Sequence, residues 1–304
     1  MKRPKIAIIG SGSVGSTTAY ALMLTNTVAE IILVDLDTKR CKGEVHDLSD
    51  TLPFSRASSI YQGSFSDAAQ ADIIIISAGK AQKPGQSRAD LLTTNCSVIK
   101  NIFDQLKPLS SSAIIIMVSN PLDVLTLCAQ KYSGIEPHRI FGSGTFLDSQ
   151  RLQGILADKL NIAQESIYAY VLGEHGDSQF IAWSSIYIHG ILLDNLITLT
   201  PEERDTISQQ TRERAQDIIN CKGATFFGIA TCVSALCQDI IFDQKRVSPV
   251  SCYNKEFDIY LSAPAVIGAE GIIRVLPLAL NNKEKELFKN SAQKIKELVK
   301  QCSL

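Results

Sequence analysis

Short apolar runs alternate with longer amphipathic stretches along the first half of the chain. The runs are rich in β-branched side chains, which is typical of parallel strands whose two faces are both covered by helices. They predict strands over residues 5–9, 30–34, 73–77 and 113–118. Between them, small and apolar residues recur at helical spacing over 15–24 and 90–106. This alternation predicts an α/β fold with a parallel sheet and crossover helices.

The pattern of apolar and polar residues changes after about Phe141. From there the periodicity predicts helices and short strand-like segments, which run over 148–160, 167–172, 181–191, 200–220 and 282–299. The helical stretch over 200–220 opens with a capping box, in which Thr200 is followed by Pro201 and Glu203. We therefore expect two domains, residues 1–143 with the parallel sheet and residues 144–304 with mixed α+β structure.

Composition narrows the classes of partner. The 304 residues carry 30 basic and 31 acidic side chains, and the net charge of -1 offers no bulk attraction to nucleic acid or to an anionic membrane. No apolar run approaches the roughly 20 residues that cross a bilayer. Glycines break the apolar run of residues 6–9 before it can form the core of a signal peptide, so we expect a cytoplasmic protein. The eight cysteines include no Cys-x-x-Cys pair and no nearby histidine at zinc-ligand spacing, so they predict reduced core thiols and no metal site. Small molecules and like subunits are the expected partners.

A glycine-rich turn follows the first predicted strand. Residues 10–15 read Gly-Ser-Gly-Ser-Val-Gly, and Asp35 ends the second strand 20 residues after the last glycine. In a Rossmann-type domain such glycines allow a tight turn and close approach of a pyrophosphate to the helix N-terminus. This spacing predicts a dinucleotide site formed by Gly10, Gly12, Ser13, Val14, Gly15 and Asp35. A carboxylate beside the ribose favours NAD, whereas Lys39 and Arg40 keep NADP as the alternative.

Four histidines limit where a general acid or base can lie. His46 falls in a helical stretch, His138 in a polar loop and His189 in a strand-like segment, so we expect packing or surface roles for these three. His175 lies between glycines in a bend directly after an apolar strand, where its side chain can project into a cleft. An inert surface-loop histidine is the alternative interpretation.

Six segments together resemble the lactate/malate dehydrogenase family along essentially the whole chain. They are 10–15 with Asp35, 82–88, 119–123, 142–151, 173–178 and 222–225. The resemblance implies a Rossmann-type NAD domain followed by a substrate domain, with His175 as the proton-transfer residue and Asp148 as its carboxylate partner. It further implies that Arg151 clamps the substrate carboxylate and Arg88 polarises the carbonyl. By the same resemblance, Asn120 and Thr225 are expected to line the same pocket, and Asn120 is also expected to face the cofactor.

Gln82 bears on the choice of substrate within this family. The malate enzymes carry an arginine at the matching position, and a second substrate carboxylate facing a neutral Gln82 would be desolvated without a countercharge. We therefore expect lactate and pyruvate as substrates. The alternatives are a branched-chain 2-hydroxy acid, malate, and a dinucleotide-binding protein that has lost catalysis. The resemblance also implies a homo-oligomer, a dimer or a tetramer.

The resemblance also bears on regulation. Many bacterial lactate dehydrogenases are activated by fructose 1,6-bisphosphate, which binds between a basic residue on the helix of the Asp-x-x-Arg motif and a histidine before the catalytic strand. Here the matching positions hold Gln153 and Tyr168, which supply no positive charge. We expect no activation by this sugar bisphosphate.

Overall fold

A computed structural model describes residues 3–25, 29–55, 59–80 and 88–302, and the side chains of residues 88–90 are outside this description. The strands are β1 (Lys5–Ile9), β2 (Glu30–Val34), β3 (Ser59–Gln62), β4 (Ile73–Ile76), β5 (Ile114–Met117), β6 (Ile140–Gly142), β7 (Ile167–Tyr168), β8 (Val171–Leu172), β9 (Phe180–Ile181), β10 (Tyr187–Ile188), β11 (Ile191–Leu192), β12 (Arg246–Asn254), β13 (Ile259–Gly268) and β14 (Gly271–Val275). The four strands predicted in the first half are confirmed to within one residue at each end.

The helices fill the intervals between these strands. They are α1 (Ser13–Leu24), α2 (Thr38–Ser49), the single-turn α3 (Phe65–Ala68), α4 (Arg88–Gln105), α5 (Leu122–Ser133), α6 (Phe146–Leu160), α7 (Pro201–Lys222), α8 (Phe227–Ile241) and α9 (Asn282–Val299). The predicted capping box is present at the start of α7, where the Thr200 hydroxyl accepts from the Glu203 amide and the Glu203 carboxylate accepts from the Thr200 amide. Among the described residues, no helix is both long and apolar enough to cross a membrane.

One large sheet organises the molecule, with the strand order β14-β13-β12-β6-β5-β4-β1-β2-β3. The strands from β6 to β3 are parallel, and β1 lies between β2 and β4. The three C-terminal strands extend this sheet in antiparallel fashion, since β12 pairs with β6 and with β13. The α/β expectation is confirmed, and the second half of the chain also contributes strands to the sheet begun by the first half.

Alternate residues of the parallel strands point to opposite faces of the sheet, and each face has its own core layer. Ile6 and Ile8 of β1 pack in a layer that includes residues of α1, α2 and α8, whereas Ala7 and Ile9 pack in the layer with α4, α5 and α9. All four residues of β4 are buried isoleucines. Burial of both faces explains why these strands are continuous apolar runs instead of alternating ones.

The region between α6 and α7 differs from its prediction. The strand expected over 167–172 is interrupted into β7 and β8, and the one expected over 181–191 into β9, β10 and β11. His189 lies in the turn of the β10–β11 hairpin with a φ of 49°, so its assignment to a strand was wrong. Apolar composition alone could not show these turns, because His189 and Gly190 are a two-residue break within an otherwise apolar segment.

Candidate active site

The turn between β1 and α1 is shaped by its glycines. Gly10 has a φ of +105°, and a Cβ at this position would lie 2.7 Å from the backbone nitrogen of Ala78. A Cβ at Gly15 would lie 1.8 Å from the Gly10 carbonyl oxygen, so the helix packs on the turn only without a side chain there. A Cβ at Gly12, by contrast, meets nothing within 4 Å. The turn is therefore tight on its inner side and open on the side where a phosphate can approach.

The N-terminus of α1 faces this open side. Among the described residues no side chain caps the helix, and its first turn holds no acidic residue, so no capping side chain competes for the first amides, at Ser13 and Val14. A helix start of this kind binds anions through its amides and its dipole.

Asp35 follows β2 and faces the same turn. Its Oδ2 accepts hydrogen bonds from the Ser11 amide at 2.6 Å and from the Ser11 hydroxyl at 2.9 Å, and its Oδ1 accepts from the Asp37 amide at 3.0 Å. Partial burial acts to raise the pKa of Asp35, but these hydrogen bonds outweigh it and hold the pKa below its usual value. The group is thus a carboxylate that is already oriented beside the glycine turn.

A cavity of about 880 Å³ connects these features. It extends from Asp35 and Arg40 past Gly12 to Gly79 and Lys80. The open turn, the uncapped helix start and the carboxylate at the far end fit a dinucleotide with its pyrophosphate at Gly12 and its ribose hydroxyls at Asp35. Arg40 faces Glu44 at 3.8 Å, which opposes its use for a 2′-phosphate.

A second group of polar residues surrounds His175. The Nδ1 atom of His175 lies 2.8 Å from Oδ2 of Asp148, and Oδ1 of Asp148 accepts a hydrogen bond from Nη1 of Arg151 at 3.1 Å. The side chain of Asp148 is 3% exposed and that of Arg151 is 9% exposed, whereas that of His175 is 30% exposed. One buried carboxylate therefore orients both an imidazole and a guanidinium, and the imidazole reaches solvent.

The charges in this group reinforce one another. Burial acts to lower the pKa of His175, but the charge of Asp148 and its hydrogen bond outweigh burial and raise that pKa. Burial acts to raise the pKa of Asp148, and the neighbouring His175 and Arg151 overcome it and lower that pKa. The arrangement favours a protonated ring whose Nδ1–H points at Asp148 and whose Nε2–H is available to a ligand.

Asp123 supports the same histidine from behind. Its Oδ2 accepts from the backbone amide of His175 at 2.8 Å and its Oδ1 accepts from the Ser251 hydroxyl at 2.6 Å. Burial raises the pKa of Asp123 to about 6. Because α5 begins just before Asp123, this contact ties the first helix after β5 to the bend that carries His175.

The bend itself is built on Gly173 and Glu174. Gly173 has a φ of +88°, and its carbonyl and amide bond to Ser262 of β13. The amide of Glu174 donates to Oγ of Ser291 on α9 at 2.6 Å, while Lys294 lies 3.5 Å from the Glu174 carboxylate. The sheet and the C-terminal helix together fix the residue that precedes His175.

Asn120 and Thr225 are the remaining predicted pocket residues that the structure describes. Asn120 is exposed just after β5, and its carbonyl accepts from Nδ2 of Asn95 at 2.8 Å. Thr225 is half-buried in the connection between α7 and α8. Gly228 at the start of α8 would place a Cβ 3.0 Å from Leu147, the residue before Asp148. The connection therefore leads into a helix that packs beside the start of α6.

Two predicted residues are outside this description. Gln82 lies in the range 81–87, and only the backbone of Arg88 is described, as the first residue of α4. The regulatory positions are described: Gln153 donates from Nε2 to the Ala169 carbonyl at 3.1 Å, and Tyr168 is exposed.

Sequence reasoning assigned no role to several residues that hold the site. Asp123 lies in one of the segments of the resemblance, which was the only signal for it. Ser251, Ser262 and Ser291 gave none, because serine occurs widely and their partners are more than 100 residues away. Asn95, which bonds to Lys80 and Asn120, lies inside an amphipathic helix and reads as an ordinary helical residue.

Both groups lie at the carboxyl edge of the parallel sheet. Gly10 follows β1, Asp35 follows β2, Asn120 follows β5 and the helix bearing Asp148 follows β6. In the strand order, β1 is flanked by β4 and β2, which is where the direction of winding reverses. Open α/β sheets bind their ligands at this point.

Comparison with known proteins gives matches over both halves of the chain. The family model described as lactate/malate dehydrogenase, NAD binding domain, matches residues 4–142. The model described as lactate/malate dehydrogenase, alpha/beta C-terminal domain, matches residues 145–303.

Curated relatives match nearly end to end. L-lactate dehydrogenase 1 of Listeria innocua is 38% identical over 300 residues, which cover 97% of this chain and 96% of the relative. L-lactate dehydrogenase of Lacticaseibacillus casei is 37% identical over 303 residues, with 97% and 93% covered. L-lactate dehydrogenase A of Rhizopus oryzae is 38% identical over 294 residues, with 97% and 92% covered.

Solved structures agree in fold. A lactate dehydrogenase, MGS-M5, from a Medee basin deep-sea metagenome superimposes with a TM-score of 0.94 at 33% identity, covering 99% of both chains. The minor L-lactate dehydrogenase of Enterococcus mundtii gives a TM-score of 0.94 at 30% identity, covering 98% of both. The expected NAD-binding domain is confirmed, and the chain belongs to the lactate/malate dehydrogenase family.

Proposed function

We propose that this chain is an NAD-dependent L-lactate dehydrogenase, which interconverts pyruvate and L-lactate. The observation that carries the proposal is the double contact of Asp148, which holds the His175 ring at 2.8 Å and the Arg151 guanidinium at 3.1 Å. A 2-oxo acid presents a carboxylate next to a carbonyl, and a guanidinium beside an imidazolium is complementary to that pair. The names of the curated relatives support the same substrate pair.

His175 moves the proton in this reaction. In pyruvate reduction the protonated ring donates from Nε2 to the carbonyl oxygen, and in lactate oxidation the neutral ring takes the proton back. Asp148 keeps the other proton on Nδ1, which fixes the tautomer and stabilises the charged ring. The bound nicotinamide supplies or accepts the hydride at the substrate carbon.

Arg151 and Arg88 take the substrate's negative charges. Arg151 binds the carboxylate through parallel N–H bonds, which fixes the orientation of the substrate as well as its charge. Arg88 polarises the carbonyl as negative charge develops on its oxygen, and Asn120 and Thr225 complete the pocket wall. The family resemblance assigns Gln82, which lies outside the described residues, to the part of the pocket that takes the methyl group of pyruvate, where a neutral side chain leaves no charge unpaired.

The test follows NADH consumption with pyruvate, oxaloacetate and 2-oxoisocaproate side by side. We expect the highest kcat/KM with pyruvate, and a His175→Asn variant that loses nearly all turnover while it binds NADH with almost unchanged affinity. A higher kcat/KM with 2-oxoisocaproate would replace the proposed substrate by a bulkier one. Substantial pyruvate reduction by the variant would remove His175 from the mechanism.

We further propose that residues 1–143 form the NAD-binding domain, which also contributes Gln82, Arg88 and Asn120 to the substrate pocket, and that residues 144–304 form the catalytic and substrate domain. The division between the two matched family models supports this boundary. A homo-oligomer, a dimer or a tetramer, is proposed because large apolar side chains such as Leu24 and Phe54 stay exposed on the single chain. Light scattering on a sizing column tests this.

The eight free thiols support a cytoplasmic protein, because such thiols persist in a reducing compartment.

A further inference from the structure

Three cysteines from distant parts of the chain meet in one place. Cys96 lies on α4, Cys128 on α5 and Cys302 just beyond α9. The sulfur of Cys96 is 3.4 Å from that of Cys128 and 3.1 Å from that of Cys302, and all three sulfurs lie within 4.8 Å of one another. The candidate active site uses none of these residues.

The surroundings of the three sulfurs are apolar on the inner side. Cys96 and Cys128 are buried in the core layer formed with α4, α5 and α9, and Cys302 is half-buried against it. In the described part of the chain, no histidine or carboxylate joins the three sulfurs.

The spacing of the sulfurs suits a shared ion better than a disulfide. Metal–thiolate bonds of about 2.3 Å place sulfurs roughly 3.7 to 4 Å apart, from tetrahedral to planar geometry. The observed separations of 3.4 Å and 3.1 Å would therefore widen by about 0.3 to 0.9 Å when an ion binds. A point equidistant from three sulfurs with the observed separations lies about 2 to 2.4 Å from each, which is the length of such a bond. A disulfide would need two sulfurs at about 2.05 Å, so even the nearest pair would have to approach by about 1 Å.

We propose that Cys96, Cys128 and Cys302 form a binding site for one thiophilic divalent metal ion of the zinc type. Three sulfur donors select soft or borderline ions over magnesium, calcium and manganese. The three thiols lose their protons to solvent as the ion binds, and water takes the fourth position on the side of Cys302. The bound complex then carries one net negative charge, which the half-exposed position of Cys302 leaves in contact with solvent.

The ion would link α4, α5 and the segment just after α9, which are distant from one another along the chain. Cys96 and Cys302 are 206 residues apart, and Cys96 and Cys128 are 32 apart. Asn95, next to Cys96, bonds to Lys80 and to the carbonyl of Asn120. The site therefore fixes the helix that forms one wall of the cofactor cavity, and its effect on stability is measurable without any assay of activity.

The test uses the full-length protein, reduced and treated with chelator under anaerobic conditions. Cadmium is titrated as a spectroscopic substitute for zinc, and the ultraviolet thiolate-to-metal absorption is recorded, followed by competition with zinc. We expect one ion per chain, with all three cluster thiols protected from alkylation in mass spectrometry. Saturating zinc should raise the Tm by about 3 to 6 °C, because the ion binds only the folded chain.

Two cysteine variants separate the site from nonspecific thiol binding. Cys302 lies beyond the last helix, so its replacement by serine leaves the buried core intact. Cys302→Ser should weaken cadmium binding roughly a hundredfold and abolish the Tm increase. Cys221→Ser removes an exposed thiol on α7 and should behave like the unmodified protein. Equal cadmium affinity in both variants, or unprotected cluster thiols at saturation, would overturn the proposal. So would a disulfide between two cluster sulfurs that forms in reducing buffer and blocks the ion.

Discussion

Replacement of Asp148 by asparagine is the most direct probe of the electrostatics around His175. Oδ2 of this carboxylate faces the ring Nδ1 at 2.8 Å and Oδ1 faces Arg151 at 3.1 Å, in a place where the carboxylate is 3% exposed. Asparagine has nearly the same shape but no charge, and one of its two terminal atoms becomes a donor. Whichever way the amide is turned, its NH₂ group faces either the ring or the guanidinium, and both of these are donors in the active state.

The size of the effect follows from the role of His175 as the general acid. A positioned general acid contributes roughly 100- to 10,000-fold to a rate, which bounds the loss that the variant can show. Because the charge of Asp148 and its hydrogen bond raise the pKa of His175, the protonated fraction of the ring at neutral pH should be lower in the variant. The rate of pyruvate reduction falls with it, because reduction consumes the proton of the ring.

The sign of the pH dependence distinguishes this account from general damage. Since Asp148 raises the pKa of His175, pyruvate reduction by the unmodified enzyme should decline only as pH rises through that raised pKa. In Asp148→Asn the decline should begin at lower pH, and acidification should restore part of the rate. Lactate oxidation needs the neutral ring and should suffer less at high pH.

The assay is kcat against pH in both directions, with Asp158→Asn as the control. Asp158 lies on the exposed side of the same helix, α6, so its variant loses the same charge without touching the ring. An Asp148→Asn enzyme with unchanged kcat and an unchanged pH profile would refute the reasoning. An equal loss of rate at every pH would also refute it, because that points to misplaced substrate and not to a shifted pKa.

Four further changes test other parts of the chain. Gln82→Arg should raise the oxaloacetate-to-pyruvate ratio of kcat/KM at least tenfold, since the guanidinium pairs the extra carboxylate; an unchanged ratio would mean that the residue does not face the substrate side chain. Asp35→Ser should narrow the gap between NADH and NADPH in KM, and equal use of both cofactors by the unmodified enzyme would contradict its role. Asp123→Asn should have the same free energy of unfolding in urea as the unmodified protein at pH 4, and a higher one at pH 7.5 by on the order of 3 kcal/mol. The reason is that burial raises the pKa of Asp123 in the folded protein to about 6 from the usual value of 3.8, so the unmodified protein loses stability as this carboxyl ionises with rising pH. A lower free energy of unfolding for the variant at pH 7.5 would show that the charge itself is needed. Millimolar fructose 1,6-bisphosphate should leave the KM for pyruvate unchanged, because Gln153 and Tyr168 offer it no charge, and a several-fold fall in KM would reveal another basic site.

The sequence by itself determined the parallel half of the sheet and the cofactor turn. Strands such as β4 are buried on both faces, so their apolar runs are continuous and are visible without any partner. The turn after β1 was equally visible, because the need for glycine at Gly10 and Gly15 is local: one residue has a positive φ and the other packs directly on it. The pairing of Asp148 with Arg151 is also local, as it joins successive turns of one helix.

Short elements in the second half depended on tertiary structure. Strands of two residues such as β8 and β9 are too short for a periodic signal, and they exist because they pair with each other over a turn. The long antiparallel strands β12 and β13 attach to the edge of a sheet whose parallel strands all come from the first half of the chain. Pairing over such separations leaves no trace in a local window of sequence.

Convergence of side chains was decided only by the folded chain. The contact of Asp123 with the His175 amide joins residues 52 apart, and that with Ser251 joins residues 128 apart. The cysteines gave no metal signal in sequence, since spacing rules detect only ligands that lie close along the chain. Cys96, Cys128 and Cys302 meet because α4, α5 and α9 pack their apolar faces in the same core layer, and Cys302 lies just beyond the end of α9. The sequence specifies the apolar face of each helix separately. The side chains that meet between the helices depend on how all three are positioned relative to one another.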